Sequence, residues 1–201
     1  IESGEILLKN RKMTREEALA LVNSNLDELG NLTEFQDDEE FVLEVLKSVE
    51  DDVWDLSIGE KLKANKEFAL KALESFPKAY HIDPSVFSYD LHKDRDFALK
   101  AVQGQTDFGY FKDYFGSDKE IVEFAIKGDP TRLLMASDLL KEDFTLAIIF
   151  VQGIYKQFDS VEDFWYEYED YGIDEKLFKE LWDKEVTIEL NKPEISISDD
   201  E

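Results

Sequence analysis

Between residues 37 and 152 the apolar positions recur in one local pattern. The segments 37–46, 65–73, 94–102, 118–126 and 142–149 each open on polar, mostly acidic residues. Apolar residues then fall at i, i+1, i+4 and i+5, as in Phe68, Ala69, Ala72 and Leu73. That spacing gathers one apolar stripe along an α-helix. The anchors Phe41, Phe68, Phe97, Ile121 and Phe144 are 27, 29, 24 and 23 residues apart, and a weaker first copy occupies 14–22. A repeat of that length cannot bury its apolar face alone, whereas stacking against neighbours can.

The polar openings carry helix-start chemistry. Asn65, Asp94 and Asp118 stand where an N-cap belongs, with an acid two residues on to favour the positive end of the helix dipole. Thr14-x-x-Glu17 and Asp37-x-x-Glu40 have capping-box spacing. Asp129-Pro130 is a cap followed by proline at the first helical position, and it predicts a second helix through Leu133, Leu134 and Leu140. Gly104, Gly116, Gly128 and Gly153 are read as punctuating the connections. The predicted fold is therefore mainly α: stacked helical hairpins, as a short α-solenoid or an irregular helical bundle. Towards the end, Val186/Ile188/Leu190 and Ile195/Ile197 alternate around Asn191-Lys192-Pro193 and predict a small C-terminal β-hairpin. Glu5-Ile6-Leu7-Leu8 reads as a further short strand. The expected organisation is a single domain over 1–201, with a helical repeat region at 14–158. Acidic-aromatic helices at 159–185 and a hairpin or tail at 186–201 complete it.

The runs at 94–102 and 118–126 carry a resemblance. The pattern over 37–152 resembles a helical-hairpin repeat family of unknown function, whose copies open with Asp-Lys-Glu-Phe/Val-Val/Ala-Leu-x-Ala-Val. The resemblance implies interaction scaffolding and carries no catalytic residue across.

Composition narrows the function. The 201 residues include 23 Lys and Arg against 48 Asp and Glu, a formal net charge of −25. Nucleic acids and anionic membranes call for a basic face, so neither is an expected partner. With no Cys, disulfides, thiolate chemistry and Cys-ligated zinc are excluded. The apolar run at 147–151 suits a buried helix and is far too short to span a bilayer. The two histidines, His81 and His92, are eleven apart, which is not the three- or four-residue spacing of a helical metal pair. No phosphate-binding loop, calcium loop or nucleophile elbow occurs. The chain is expected to be non-enzymatic, cofactor-free and cytoplasmic. It opens on Ile1, as expected of a chain cut from a longer one.

The charge is segregated. Residues 27–60 hold 1 basic and 13 acidic side chains, residues 155–201 hold 5 and 16, and residues 61–154 hold 13 and 15. Mixed charge would solubilise as well, and crowding like charges costs stability, so the acidic blocks point to a binding role. The run Glu162-Asp163-Phe164-Trp165-Tyr166-Glu167-Tyr168-Glu169-Asp170 sharpens this expectation. Ser160 can cap its helix, Gly172 can end it, and Val161, Phe164, Tyr168 and Tyr171 share the core face. Aromatics ringed by carboxylates suit a basic protein, because rings supply contact area while acids steer and pair. The candidate partner-binding residues are Glu162, Trp165, Tyr166, Glu167, Glu169 and Asp170, with Asp37, Asp38, Asp51 and Asp52 in the first acidic block. The expected function is to dock or neutralise a basic partner, as an immunity-protein-like inhibitor of a toxin or nuclease. One alternative is a DNA-mimic inhibitor of a restriction or CRISPR system. Another is a helical-repeat scaffold or effector that binds through its neutral centre, with residues such as Tyr80, Tyr110 and Tyr114.

Overall fold

The computed structural model describes residues 12–76, 81–169 and 172–190, with side chains through Glu185. The chain divides into two compact units, residues 1–106 and 107–201. In the first lie α1 (Arg15–Ser24), α2 (Glu39–Ser48), the one-turn α3 (Glu60–Lys63), α4 (Lys66–Ser75) and α5 (Arg95–Gln103). In the second lie α6 (Lys112–Phe115), α7 (Lys119–Gly128), α8 (Asp138–Lys141), α9 (Phe144–Ile154), α10 (Val161–Tyr168) and α11 (Glu175–Leu190). Short 3-10 turns join them, among them Leu26–Asn31, Tyr89–Lys93 and Pro130–Met135. The molecule is thus mainly helical.

One register organises both units. Five of the longer helices, α2, α4, α5, α7 and α9, start on an Asx side chain that accepts the N–H three residues on, while α1 starts on Thr14 and α10 on Ser160. The bonds are Asp38 to Phe41, Asn65 to Phe68, Asp94 to Phe97, Asp118 to Ile121 and Asp143 to Leu146, at 3.0, 3.1, 3.1, 3.3 and 3.2 Å. Counted from the cap, positions three, four, seven and eight face inward. They are Phe41, Val42, Val45 and Leu46 in α2, Phe97, Ala98, Ala101 and Val102 in α5, and Ile121, Val122, Ala125 and Ile126 in α7, all buried. Ala at the middle positions, as in Ala98 and Ala101, leaves room for a close helix neighbour. In the first unit α1 packs on α2, α2 on α4 and α4 on α5; in the second α7 packs on α9 and α9 on α11.

A backbone stitch ties successive copies. The residue six before a cap donates its N–H to the carbonyl two before the preceding cap. Gly59 bonds Gln36, Ser88 bonds Lys63 and Ser137 bonds Gly116, each at 2.8 Å. A side-chain tie accompanies it: Lys66 Nζ reaches Asp94 at 2.8 Å, and Lys119 Nζ reaches Asp143 at 2.6 Å. Both lysines immediately follow a cap, and both acids are the next cap.

Four expectations are corrected by this register. The last anchor is Leu146, fully buried three residues after Asp143, whereas Phe144 is 56% exposed at the first helical position. The cap of α2 is Asp38, and Asp37 instead accepts the N–H of Leu62 at 3.3 Å. Three of the expected partner helices are single turns of four residues, α3, α6 and α8, rather than full helices. Asp129 and Pro130 do start a helical turn, but it is a 3-10 turn ending at Met135, and Leu140 belongs to α8. Gly153 lies inside α9 with Pro130 against it, so a side chain there would collide with the proline ring.

The C-terminal hairpin is also corrected. Residues 186–190 continue α11, and no strand forms among the described residues beyond an isolated parallel bridge between Val53 and Ile82. Extending an existing helix adds one hydrogen bond per residue fixed, so the β-branched run follows the helix already nucleated at Glu175. Its second half, Ile195/Ile197, and the strand at Glu5 to Leu8 lie outside the described residues. Upstream, α11 follows the same cap-and-stripe register. Asp174 caps Leu177 at 2.6 Å, and Phe178, Leu181 and Trp182 are buried four, seven and eight residues after it.

Candidate functional site

Helix α10 starts at Ser160, whose Oγ accepts the N–H of Asp163 at 3.1 Å and donates to its Oδ2 at 2.7 Å. Its inner face is anchored by Phe164, which is 1% exposed. The Phe164 ring meets Phe150, Phe158, Tyr168, Phe178 and Trp182 at centroid distances of 5.1 to 6.3 Å. Burying a phenylalanine contributes about 1.5–3 kcal/mol, and edge-to-face pairs add to it. The helix is therefore held firmly by one side. After Glu169, Gly172 has φ of +72°, the left-handed region in which glycine bears no Cβ penalty, and this turns the chain towards α11.

Two residues past Phe164 is about 200° around a helix, so Tyr166 points away from that cluster. It is 87% exposed, the most open large aromatic among the described residues. Glu162 precedes it by four residues and Glu169 follows by three, so both stand beside it on the helix surface. Glu162, Asp163, Glu167 and Glu169 are exposed. Trp165 lies half-buried against Phe164, 5.3 Å between centroids, and its Nε1 is buried without a hydrogen-bond partner. Asp170 and Tyr171 lie outside the described residues. The structure thus separates the two adjacent aromatics of the predicted set: Trp165 leans into the packing and Tyr166 faces solvent among acids.

The first acidic block is divided differently. Asp38 is occupied as the cap of α2, and Asp37 braces α3. Asp52 Oδ1 receives both the backbone N–H and Nδ1 of His81, each at 2.9 Å. Asp51 is exposed and accepts the N–H of Asp52 at 2.8 Å. Beside them stands Trp54, 63% exposed, with its ring edge-on to His81 at 4.6 Å. The segment is braced by Val53, whose N–H bonds the His81 carbonyl at 2.9 Å and whose carbonyl receives the Asp83 N–H at 2.7 Å. Val53 and Ile82 are buried beneath it. Trp54 was not among the expected residues. Its signal was present, since Asp51-Asp52-Val53-Trp54-Asp55 sets an aromatic among acids just as the 162–170 run does.

His92 is buried, with Nε2 3.0 Å from the Pro84 carbonyl, and serves the core of its turn. Among the described residues no group of three or more His, Asp and Glu converges as metal ligands do. No described helix is long and apolar enough to cross a membrane. No protein-family model matches the chain, and no curated protein and no solved structure is similar to it.

Proposed function

We propose that this chain is a non-enzymatic acidic binding protein that docks or neutralises a basic protein partner, as an immunity-type inhibitor of a toxin or nuclease would. The observation that carries the reading is Tyr166: an open phenol on a helix pinned from behind, flanked by Glu162, Glu167 and Glu169. An aromatic fixed before binding loses little conformational entropy on contact, and interface energy concentrates on such rings. The surrounding carboxylates attract a cationic partner from a distance and raise the association rate, an effect that salt weakens. Many of the protein's own cations are used internally, as Arg15 is with Glu44, Lys71 with Glu39 and Glu67, and Lys119 with Asp143.

Affinity capture from source lysate at low and high salt tests this reading. A basic protein retained at low salt, released by salt and lost by a Glu167→Lys/Glu169→Lys bait supports it. Capture unchanged by that bait contradicts it. A second reading, binding through the near-neutral repeat region, is supported by Leu139 at 77% exposure together with exposed Phe144 and Tyr114. It predicts instead that Leu139→Ser/Phe144→Ser removes a partner whose retention is indifferent to salt.

A further inference from the structure

In the first unit a hollow of about 390 Å³ lies among the C-terminal ends of α4 and α5 and the segment at His81 and Ile82. Its walls are mostly polar, and among the described residues they hold one carboxylate, Glu74, and one ammonium, Lys100. These two are loosely joined, with Lys100 Nζ 3.4 Å from Glu74 Oε1 and both side chains in reach of solvent. Pairs of this kind contribute little, so either group can take another partner readily. His81 adds a third group. Its Nδ1 is held at 2.9 Å by Asp52, which is not part of the wall. A carboxylate can only accept, so in the neutral ring the proton sits on Nδ1 and Nε2 keeps its lone pair for the hollow. At the end of α5, Gln105 has φ of +64°. Its N–H bonds the Val102 carbonyl at 3.1 Å and that of Thr106 bonds Ala101 at 3.2 Å, which closes the helix in the left-handed position that favours glycine. Glutamine there bears strain that glycine would not, and it adds a second primary amide, with Gln103, to the wall.

We propose that this hollow binds a free α-amino acid. Such a site is independent of the α10 face and of its partner. One positive and one negative group on the same wall match a small molecule that carries both charges. The ligand carboxylate pairs with Lys100, its ammonium pairs with Glu74, and Nε2 of His81 accepts a further ammonium N–H. Charge-assisted bonds of this type are roughly twice as strong as neutral ones. A simple anion gains Lys100 but meets Glu74, and a simple cation meets the reverse, so the zwitterion is selected against both. The chain's net charge of −25 repels anions at long range and leaves a neutral zwitterion unaffected. The volume falls within the range of small-ligand sites. The amides of Gln103 and Gln105 offer both donors and acceptors, which suits a ligand whose own side chain is polar.

The test is an amide chemical-shift titration of the whole chain with each of the twenty L-amino acids in turn. Any that binds is then compared with its N-acetyl and its carboxamide derivative, which lack one charge each. Saturable shifts at residues 73–76, 81–82 and 100–106 with at least one free amino acid, lost with both derivatives, are the expected result. No saturable shift with any amino acid overturns the proposal, as do shifts confined to other residues or equal shifts with the blocked forms. Two variants locate the contacts. Lys100→Met keeps the aliphatic stem and removes the charge, and it should bind about tenfold more weakly. His81→Asn keeps a donor for Asp52 and removes Nε2, and it should weaken binding to a similar degree with its melting temperature retained. Unchanged affinity in Lys100→Met overturns the proposal. Where His81→Asn lowers the melting temperature, Lys100→Met alone decides.

Discussion

Lys119 Nζ stands 2.6 Å from Oδ2 of Asp143, while Oδ1 of the same carboxylate accepts the N–H groups of Thr145 and Leu146 at 3.0 and 3.2 Å. One side chain thereby caps its own helix and receives the lysine that opens the previous copy. Lys66 and Asp94 repeat the arrangement in the first unit. Asp143→Ala should cost about 0.5–2 kcal/mol for the cap, with the ion pair lost as well. Asp143→Asn keeps a capping oxygen and loses only the charge, so it should cost about 0.2–1 kcal/mol. Urea unfolding of the two variants checks the order; equal losses would show that the cap is not the larger part.

The same carboxylates set an acid limit. Asp143 is held below its ordinary value of 3.8, chiefly by the hydrogen bond from Lys119, with the amides of Leu146 and Thr145 helping against burial. At Asp94 burial is the largest influence and pushes upward, but Lys66 and the amides of Phe97 and Asp96 together outweigh it. A carboxyl lowered on folding contributes stability that is present above its unfolded value and lost as pH falls through its folded value. The difference in stability between the protein and Asp143→Asn should therefore be constant from neutral pH down to about 5 and shrink as acidification protonates the carboxyl. Thermal melts across that range check it, and a difference that grows on acidification would contradict it.

The register makes a sharp distinction inside α9. Leu146→Ala removes a fully buried side chain and should cost about 2–5 kcal/mol. Phe144→Ser alters a largely exposed ring and should change stability by no more than about 0.5 kcal/mol. Denaturant midpoints of the two variants test whether Leu146 or Phe144 is the anchor of this copy.

That distinction shows what the sequence can and cannot yield. Helical spacing and Asx caps located α2, α4, α5 and α7 because both signals are local, and Phe41, Phe68, Phe97 and Ile121 are all buried as read. At α9 the apolar run extends from Phe144, so the first apolar residue was taken for the inward one. Only distance from the cap at Asp143 separates it from Leu146. The strand reading of 186–190 failed for a related reason: alternation there competes with a helix that begins eleven residues earlier. In the acidic-aromatic run, Phe164 and Tyr166 were correctly assigned to opposite sides because 3.6 residues per turn decides it. Trp54 carries the same aromatic-among-acids signal in the sequence, but the pairing of Val53 with Ile82 that braces its segment joins residues far apart in the chain and is not legible there.

If the α10 face is the docking surface, its ring and its acids should fail in different ways. Tyr166→Ala should raise the dissociation rate of the basic partner, with a loss of about 2 kcal/mol or more in affinity. Glu162→Lys should lower chiefly the association rate, by a factor that shrinks as salt is added. Stopped-flow or surface-based kinetics at two ionic strengths separates these effects. A Tyr166→Ala variant that dissociates no faster would remove the ring from the interface.

The account's central claim is tested most directly by the affinity of the captured partner as a function of salt, for the protein and for Glu162→Lys/Glu167→Lys/Glu169→Lys. The account predicts a dissociation constant that rises steeply with salt for the protein, and little or no binding by the variant even at the lowest salt. Equal affinities for the two proteins, with no dependence on salt, would contradict it.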